Sequence, residues 1–353
     1  MKYIITSKGF ISQNLTGLAE LNDIKVLSDE ALRKDSITLT AKDVVYIPSE
    51  NALEAVLSHM GDKKTKLAVE ILKDKYACRK ILKSLFPSFY FRKISLHNLK
   101  DFPIPKKKKL VIKPAKGFFG AGVRIIDTKT NLTALQKDIA QEIAKYSAFY
   151  SESVLSKEEL LIEEYITGEE YAVDMYYNKE GKPVIMNIFH HPIPKYSEYF
   201  NVLYYTNKKT FEKFHNKLVK FFTLLNKHLH AKSFAIHAEF KYTKNQLIPV
   251  EFNPLRFGGW GLADLTQYAF GINPFDAFFK NTSPDWNTIW KTKKDDYFCW
   301  VLAYNGKGVD IKKMQPNHAM FQKDLKTILH YNKLDYKKNP VFANAYIQVD
   351  KKT

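Results

Sequence analysis

The chain has 353 residues, 45% hydrophobic and 14% aromatic, enough to bury a large core and too apolar for a disordered polymer. It contains no run of about 18 apolar residues, so no membrane-spanning helix is expected, and Cys78 and Cys299 are too few for a disulfide framework. The net charge of +18 comes from 50 Lys and 5 Arg spread along the whole chain, which argues against a concentrated nucleic-acid footprint.

The opening "MKYIITSKGFISQN" reads as a first strand rather than a signal peptide, and with so few cysteines the expected location is the cytoplasm. Strands are expected at 2–7, 24–28 and 43–49, a helix at 52–60, and a long helical pattern at 64–86. Together these predict an open α/β lobe with its linking helix over 1–105, ending at "FPIP" and the Lys run 106–109. Residues 109–115, a glycine loop, 123–127 and a helix near 130–145 form a β-loop-β-α unit, giving a small subdomain over 106–165. A larger antiparallel lobe is expected over 166–290. Segment 159–168 leads into its strands 169–178 and 182–194, which are followed by an amphipathic helix 210–229 with Phe211, Phe214, Leu218, Phe221, Leu225 and Leu229 in one stripe. The strands 233–243 and 246–253, joined by "KN", predict a hairpin, and a helix near 262–270 follows. Residues 291–353 read as an extension without an assigned role. The fold class is therefore α/β (α+β).

Alternation decides which side chains of the hairpin converge. Phe234, Ile236, Ala238 and Phe240 share an apolar face; His237, Glu239 and Lys241 share the other. In the second strand Ile248, Val250 and Phe252 are expected to face the core, with Pro249, Glu251 and Asn253 opposite. Side chains two apart lie about 6.6–7 Å apart on one face. Glu239, Glu251 and Asn253 then present only oxygen, which suits Mg²⁺ or Mn²⁺ completed by water and phosphate. A solvated sheet face is the bland alternative. "VIKPAKGFFGAGVRII" (111–126) spaces Gly117, Gly120 and Gly122 between two strands, after Lys113. Such a loop lets backbone N–H groups approach phosphate oxygens, but it is neither a P-loop nor a dinucleotide fingerprint. In a chain whose default base is Lys, Arg124 and Arg256 mark places that need a planar fork.

Five segments in order, "KDKYACRKIL" (with Lys75), "VIKPAKGFFGAGV", "IEEYITGEEYAVD", "HAEFK" and "VEFNPLRFGG", resemble the ATP-grasp superfamily over roughly residues 65–270. The resemblance implies an ATP-grasp fold: an N-terminal lobe, a glycine-loop lid subdomain and a larger lobe carrying the metal site. It also implies ATP and Mg²⁺ (or Mn²⁺) as cofactors. Lys75 and Lys113 match phosphate-contacting lysines; Lys116, Gly117, Gly120 and Gly122 match the lid. Glu163 matches the acceptor of the adenine amino group, and Glu164, Tyr165 and Ile166 the hinge that reads the adenine edge. Glu170 matches the ribose-binding acid. Glu239, Glu251 and Asn253 match the metal ligands, and Arg256 matches the arginine that stabilises the transferred phosphoryl group. Phe118 and Phe119 stand where many members carry glycine, and "NPLRFGGW" departs from the commoner "NPRPGG"-like pattern.

The implied reaction makes an acyl phosphate from a carboxylate and ATP, which an amine or similar nucleophile then attacks, so small-molecule carboxylates and amines are the expected partners. Arg124, His237, Lys241 and Arg256 are substrate-binding candidates, and Lys113 and Arg256 are the catalytic ones. Asp174 shares a face with Glu170 and is expected to order it. Of His190 and His191, at most one faces the site. The alternatives are a kinase or carboxylase with another acceptor, a noncatalytic ATP- or nucleic-acid-binding module, and a zinc site on His190, His191, His237 and Glu239. A homodimer is compatible with this reading.

Overall fold

The computed structural model describes residues 1–19, 23–106, 108–117, 122–147, 156–193, 201–306 and 308–351. The opening segment builds β1 (Lys2–Thr6), α1 (Gln13–Ala19), β2 (Ile24–Ser28), α2 (Asp29–Lys34), β3 (Val44–Tyr46) and α3 (Leu53–His59). The strands pair in parallel in the order β2–β1–β3. A central parallel strand is covered on both faces, which is why Tyr3, Ile4 and Ile5 are all apolar and all buried.

The long helical pattern after α3 is not one helix. It divides into α4 (Lys63–Lys73) and α5 (Lys75–Leu82) at Asp74, whose backbone is extended. The Asp74 side chain accepts from the N–H groups of Tyr76 and Ala77 at 2.8 and 3.0 Å, restarting the helix. Apolar periodicity continues through this break, so pattern alone does not reveal it. The break matters because it turns Lys73 and Lys75 towards different partners.

The second sheet holds β4 (Phe91–Ser95), β5 (Leu110–Pro114), β6 (Arg124–Ile126) and β7 (Glu159–Glu164), in the order β4–β7–β5–β6, with α6 (Leu132–Ser147) packed on it. β4 precedes residue 105, so this subdomain starts earlier than the proline and lysine signals suggest. Leu110, Ile112, Leu160 and Ile162 bury against Ile139 and Ile143 of α6. The alternate positions Lys113, Leu161 and Glu163 face the other way, and Lys113 Nζ reaches the Val250 carbonyl at 3.4 Å.

The largest sheet among the described residues contains β8 (Glu169–Tyr177), β9 (Pro183–His191), β10 (Asn201–Thr206), β11 (Phe234–Thr243) and β12 (Gln246–Pro254). Helix α7 (Lys208–Leu229) lies between β10 and β11 in sequence, and α8 (Leu265–Phe270), α9 (Pro274–Lys280) and α10 (Trp286–Thr292) follow β12. Residues beyond 291 are not a separate extension. β13 (Tyr297–Tyr304), β14 (Thr327–Lys333) and β15 (Val341–Val349) complete the same antiparallel sheet, in the order β12–β11–β8–β9–β10–β13–β15–β14, with α11 (His318–Lys323) between β13 and β14 in sequence. Among the described residues no helix is long and apolar enough to cross a membrane.

Helix α7 covers one face of this sheet. Its buried stripe is Phe211, Phe214, Leu218, Phe222, Leu225 and Leu229, with Phe222 in place of the expected Phe221. Phe221 is half-buried and packs edge-on against Phe240 at 5.3 Å. The N-terminal lobe is tied to the body by Ser12 and Asn14, which donate to the buried Asp264 carboxylate at 2.5 and 3.1 Å. Burial pushes the Asp264 carboxyl up to about 6, although those two donors pull the other way.

Two outcomes follow from this packing. Phe222→Ala should cost roughly 3–5 kcal/mol in urea unfolding, and Phe221→Ala clearly less; equal costs would show that the helix is rolled differently. Because the folded Asp264 holds its proton more tightly than the unfolded chain, its contribution is present below the ordinary value of 3.8 and lost as pH rises through about 6. The stability of Asp264→Asn relative to the parent should therefore rise between pH 4 and 7, and a flat difference would contradict the burial of that acid.

Candidate active site

β11 and β12 pair so that Glu239 stands directly opposite Glu251, and His237 opposite Asn253. Opposed residues of this kind have Cβ atoms about 4.5–5.5 Å apart, so the hairpin forces two carboxylates together. Burial and the Glu251 charge push the Glu239 carboxyl up to about 8. Asn253 is buried, and its Oδ1 accepts no hydrogen bond. An orphaned amide oxygen beside two crowded carboxylates is a donor set that a hard divalent cation would satisfy.

Strict alternation of side chains holds only for part of β12. A bulge leaves Val250 without a partner, so Pro249 aligns with Phe240 and is buried, while Ile248 aligns with Lys241. Ile248 and Pro249 are therefore exchanged relative to strict alternation. Glu251 and Asn253 lie beyond the bulge and keep their expected face.

Two lysines approach this set from the other elements. Lys75 opens α5; its Nζ donates to the Gly117 carbonyl at 2.9 Å and lies 3.4 Å from Glu251 Oε1. Lys113, on β5, is buried and pairs with Glu163 Oε1 at 2.6 Å. Burial pushes the Lys113 ammonium down, Arg79 and Lys75 add to this, and Glu163 opposes them.

Glu163 is itself 3% exposed and is gripped by Arg79, a residue that motif reading missed. Arg79 Nε meets Oε2 at 2.6 Å and Nη2 meets Oε1 at 3.2 Å, a two-pronged fork. Against the upward push of burial, Lys113 and Arg79 hold the Glu163 carboxyl down to about 2. The scarcity of arginine, which singles out Arg124 and Arg256, points equally to Arg79.

Further along the same face, Glu170 meets His191 Nδ1 at 3.0 Å and Lys241 Nζ at 3.6 Å. His190 points to the opposite face, stacked on Tyr171 and bonded to the Tyr205 hydroxyl. Asp174 does not order Glu170. It pairs with His237 Nδ1 at 2.7 Å and accepts from the Gly258 N–H at 2.8 Å, which leaves His237 Nε2 3.8 Å from Glu239. With His190 turned away, the zinc arrangement does not form. Among the described residues no three His, Cys, Asp or Glu side chains gather as a metal cage.

Arg256 lies in the turn after β12. Its Nη2 meets Glu50 at 2.8 Å and its Nη1 donates to the Phe257 carbonyl at 3.1 Å. Glu50, from the N-terminal lobe, also holds Lys73 at 2.9 Å. Although burial raises it, these two cations keep the Glu50 carboxyl well below the usual carboxylate range. Neighbouring strands brace the turn: the Phe257 N–H donates to the Tyr46 hydroxyl, the Tyr346 hydroxyl to the Gly261 carbonyl, and Asn344 to the Trp260 carbonyl. Gly261 has φ +87°, and a Cβ there would stand 2.3 Å from the Tyr346 hydroxyl, so this close approach needs glycine. The C-terminal strands thus support the turn that carries Arg256.

Other candidates lie apart or are differently engaged. Arg124 on β6 pairs with Glu142 of α6 at 2.9 Å and does not join the cluster. The Lys116 N–H donates to Ser156, and Gly122 turns with φ +70°. Gly120, Phe118 and Phe119 lie outside the described residues. The N–H groups of Glu164 and Tyr165 donate to the carbonyls of Tyr90 and Lys109, and Ile166 is buried. A cavity of about 780 Å³ between α7 and α10, lined by Phe211, His215, Trp286 and Trp290, contains none of these residues.

Comparison with known proteins agrees with this architecture. A family model described as an ATP-grasp domain matches residues 106–264. No curated protein sequence matches the chain. An L-amino acid ligase from Bacillus licheniformis superposes with a TM-score of 0.66 at 15% identity, covering 99% of this chain and 94% of that one. An N5-carboxyaminoimidazole synthetase from Staphylococcus aureus, solved with ADP, gives 0.63 at 12% identity, covering 99% and 93%. A biotin carboxylase from Campylobacter jejuni, in complex with a β,γ-ATP analogue, gives 0.61 at 12%, covering 99% and 87%. At such identities the superpositions speak for the fold alone, and the domain match agrees with them: the chain has the ATP-grasp fold, and its residues 106–264 match an ATP-grasp domain.

Proposed function

We propose that this chain binds ATP with a divalent cation between the β5–β7 sheet and the β11–β12 hairpin, and uses it to join a small carboxylate to an amine. The observation that carries the reading is the oxygen set Glu239, Glu251 and Asn253, with Asn253 Oδ1 lacking a donor and Lys75 3.4 Å from Glu251. A cation held there would neutralise phosphate charge and draw electron density from the reacting phosphorus.

A carboxylate is a weak electrophile because its charge is shared by two oxygens. When one of its oxygens attacks the γ-phosphorus, the bond to ADP breaks and an acyl phosphate forms. An amine then attacks the carbonyl carbon, phosphate leaves with the bonding pair, and the nitrogen loses a proton. The protein contributes position and charge. Lys75 and Lys113 supply fixed positive charge on the side from which phosphates would be met. Arg256, held by Glu50 and the Phe257 carbonyl, retains a buried Nε–H without an acceptor, which suits a developing phosphoryl charge. The strand end at Glu164–Ile166 would receive the base, and Glu170, oriented by His191 and Lys241, the ribose. His237, Lys241 and Arg256 line the face where an acceptor would approach.

Two measurements test this reading. Purified protein with Mg²⁺ and ATP, screened against pools of small carboxylates and amines, should release ADP only when both substrates are present. ADP release that requires bicarbonate, or that yields a stable phosphate ester, would move the assignment to a carboxylase or kinase. Mg²⁺ with a nonhydrolysable ATP analogue should raise the melting temperature of the parent but not of Glu251→Gln, whose Mg²⁺-dependent turnover should fall by at least about a hundredfold. An unchanged response in that variant would place the cation elsewhere.

A further inference from the structure

Resting on the ATP-binding reading, we infer that Glu50 of the N-terminal lobe is a positioning residue: it fixes the Arg256 guanidinium so that its free N–H groups meet the γ-phosphoryl group.

The turn after β12 depends on its neighbours to hold Arg256. Leu255, bulky and buried, has φ +64°, a left-handed backbone that such side chains rarely adopt. A conformation of this kind persists only where its surroundings fix it. The Leu255 N–H donates to the Ala235 carbonyl of β11 at 2.7 Å, and its carbonyl accepts from the Ile47 N–H at 2.9 Å. One twisted residue, pinned on both sides, sets the direction in which Arg256 leaves the strand.

The segment that follows β3 supplies most of that grip. The Tyr46 hydroxyl accepts from the Phe257 N–H at 3.0 Å, the Ile47 N–H reaches Leu255, and Glu50 Oε1 accepts from Arg256 Nη2 at 2.8 Å. The N-terminal lobe thus holds the backbone on either side of Arg256 and the guanidinium itself. Lys73 donates to the other oxygen, Oε2, at 2.9 Å. A carboxylate with a cation on each oxygen is not free to rotate, so Lys73 fixes Glu50 and Glu50 fixes Arg256.

What Glu50 leaves open gives the site its use. A guanidinium has five N–H donors, and the bonds to Glu50 and to the Phe257 carbonyl engage one each on Nη2 and Nη1. The Nε–H is buried and has no acceptor. Arg256 also stands close to the hairpin acids. Burial and Glu251 raise the Glu239 carboxyl, and Arg256 opposes them. An orphaned, fixed donor beside the oxygens that would hold the cation is completed by a phosphate oxygen bridged to that cation.

The experiment compares binding of ADP and of the β,γ-imido analogue of ATP, both with Mg²⁺, by calorimetry on the full chain. The variants are Glu50→Gln, Arg256→Gln and the two combined; ADP has no γ-phosphate. Each single variant should weaken the imido analogue by about tenfold or more and leave ADP as in the parent. Because Glu50 acts through Arg256, adding Glu50→Gln to Arg256→Gln should weaken the analogue no further. Parent-like affinity for the analogue in either single variant would overturn the inference. So would equal weakening of ADP and the analogue, the mark of a merely structural role, or losses that multiply in the combined variant. If Glu50→Gln does not fold, Glu50→Gln with Lys73→Met, which removes the ammonium left without a partner, decides by the same comparison. A parent that binds neither nucleotide would overturn the nucleotide reading itself, and this inference with it, whereas a parent that binds both, matched by Glu50→Gln, removes only this inference.

Discussion

The hairpin register is the constraint on which the rest of the site depends. With Glu239 opposite Glu251, two carboxylates must occupy the same few ångströms of a half-enclosed surface. Little in the hairpin relieves that repulsion: His237 Nε2 lies 3.8 Å from Glu239, Asn253 adds another oxygen, and Lys75 approaches only Glu251. Such an arrangement costs stability unless a proton or a cation sits between the acids. Packing of α7 behind the hairpin keeps the acids from separating, because Phe240 and Phe252 are locked into the aromatic core on the reverse face. The unfavourable electrostatics are thus held in place by hydrophobic burial.

Around this centre two of the lobes each contribute a carboxylate that organises two cations. Glu50 of the first lobe holds Lys73 and Arg256; Glu163 of the second holds Arg79 and Lys113. Removing either acid would leave two buried positive charges without an internal partner, the more damaging half of any buried ion pair to lose. Asp174 plays a related part for neutral groups, fixing one nitrogen of His237 and the Gly258 N–H together. The break at Asp74 sends the lysines beside it to different acids: Lys73, ending one helix, to Glu50, and Lys75, opening the next, to Glu251.

Much of this was legible in the residues. Period-two alternation placed Glu239, Glu251 and Asn253 on one face, and the order of the motifs gave the ATP-grasp fold and its three-lobed plan. Local reading failed where a single residue reset the geometry. The bulge at Val250 exchanged Ile248 and Pro249, and Asp74 divided a helix whose apolar period ran through the break. Phe221 and Phe222 are adjacent, and which one lies deeper depends on the small roll of α7 against β8 and β11. Residues 297–349 carry ordinary strand patterns, which do not say which sheet edge they extend.

Sequence by itself determined the types of group available and the side of each strand on which they lie, because alternation and chain order are local properties. Only the tertiary structure decided what those groups touch. Arg79 finds Glu163 across 84 residues, and Arg256 finds Glu50 across 206. Pairings at such separations are chosen by how the sheets and helices pack, since a buried charge must settle on whichever opposite charge the fold brings within reach.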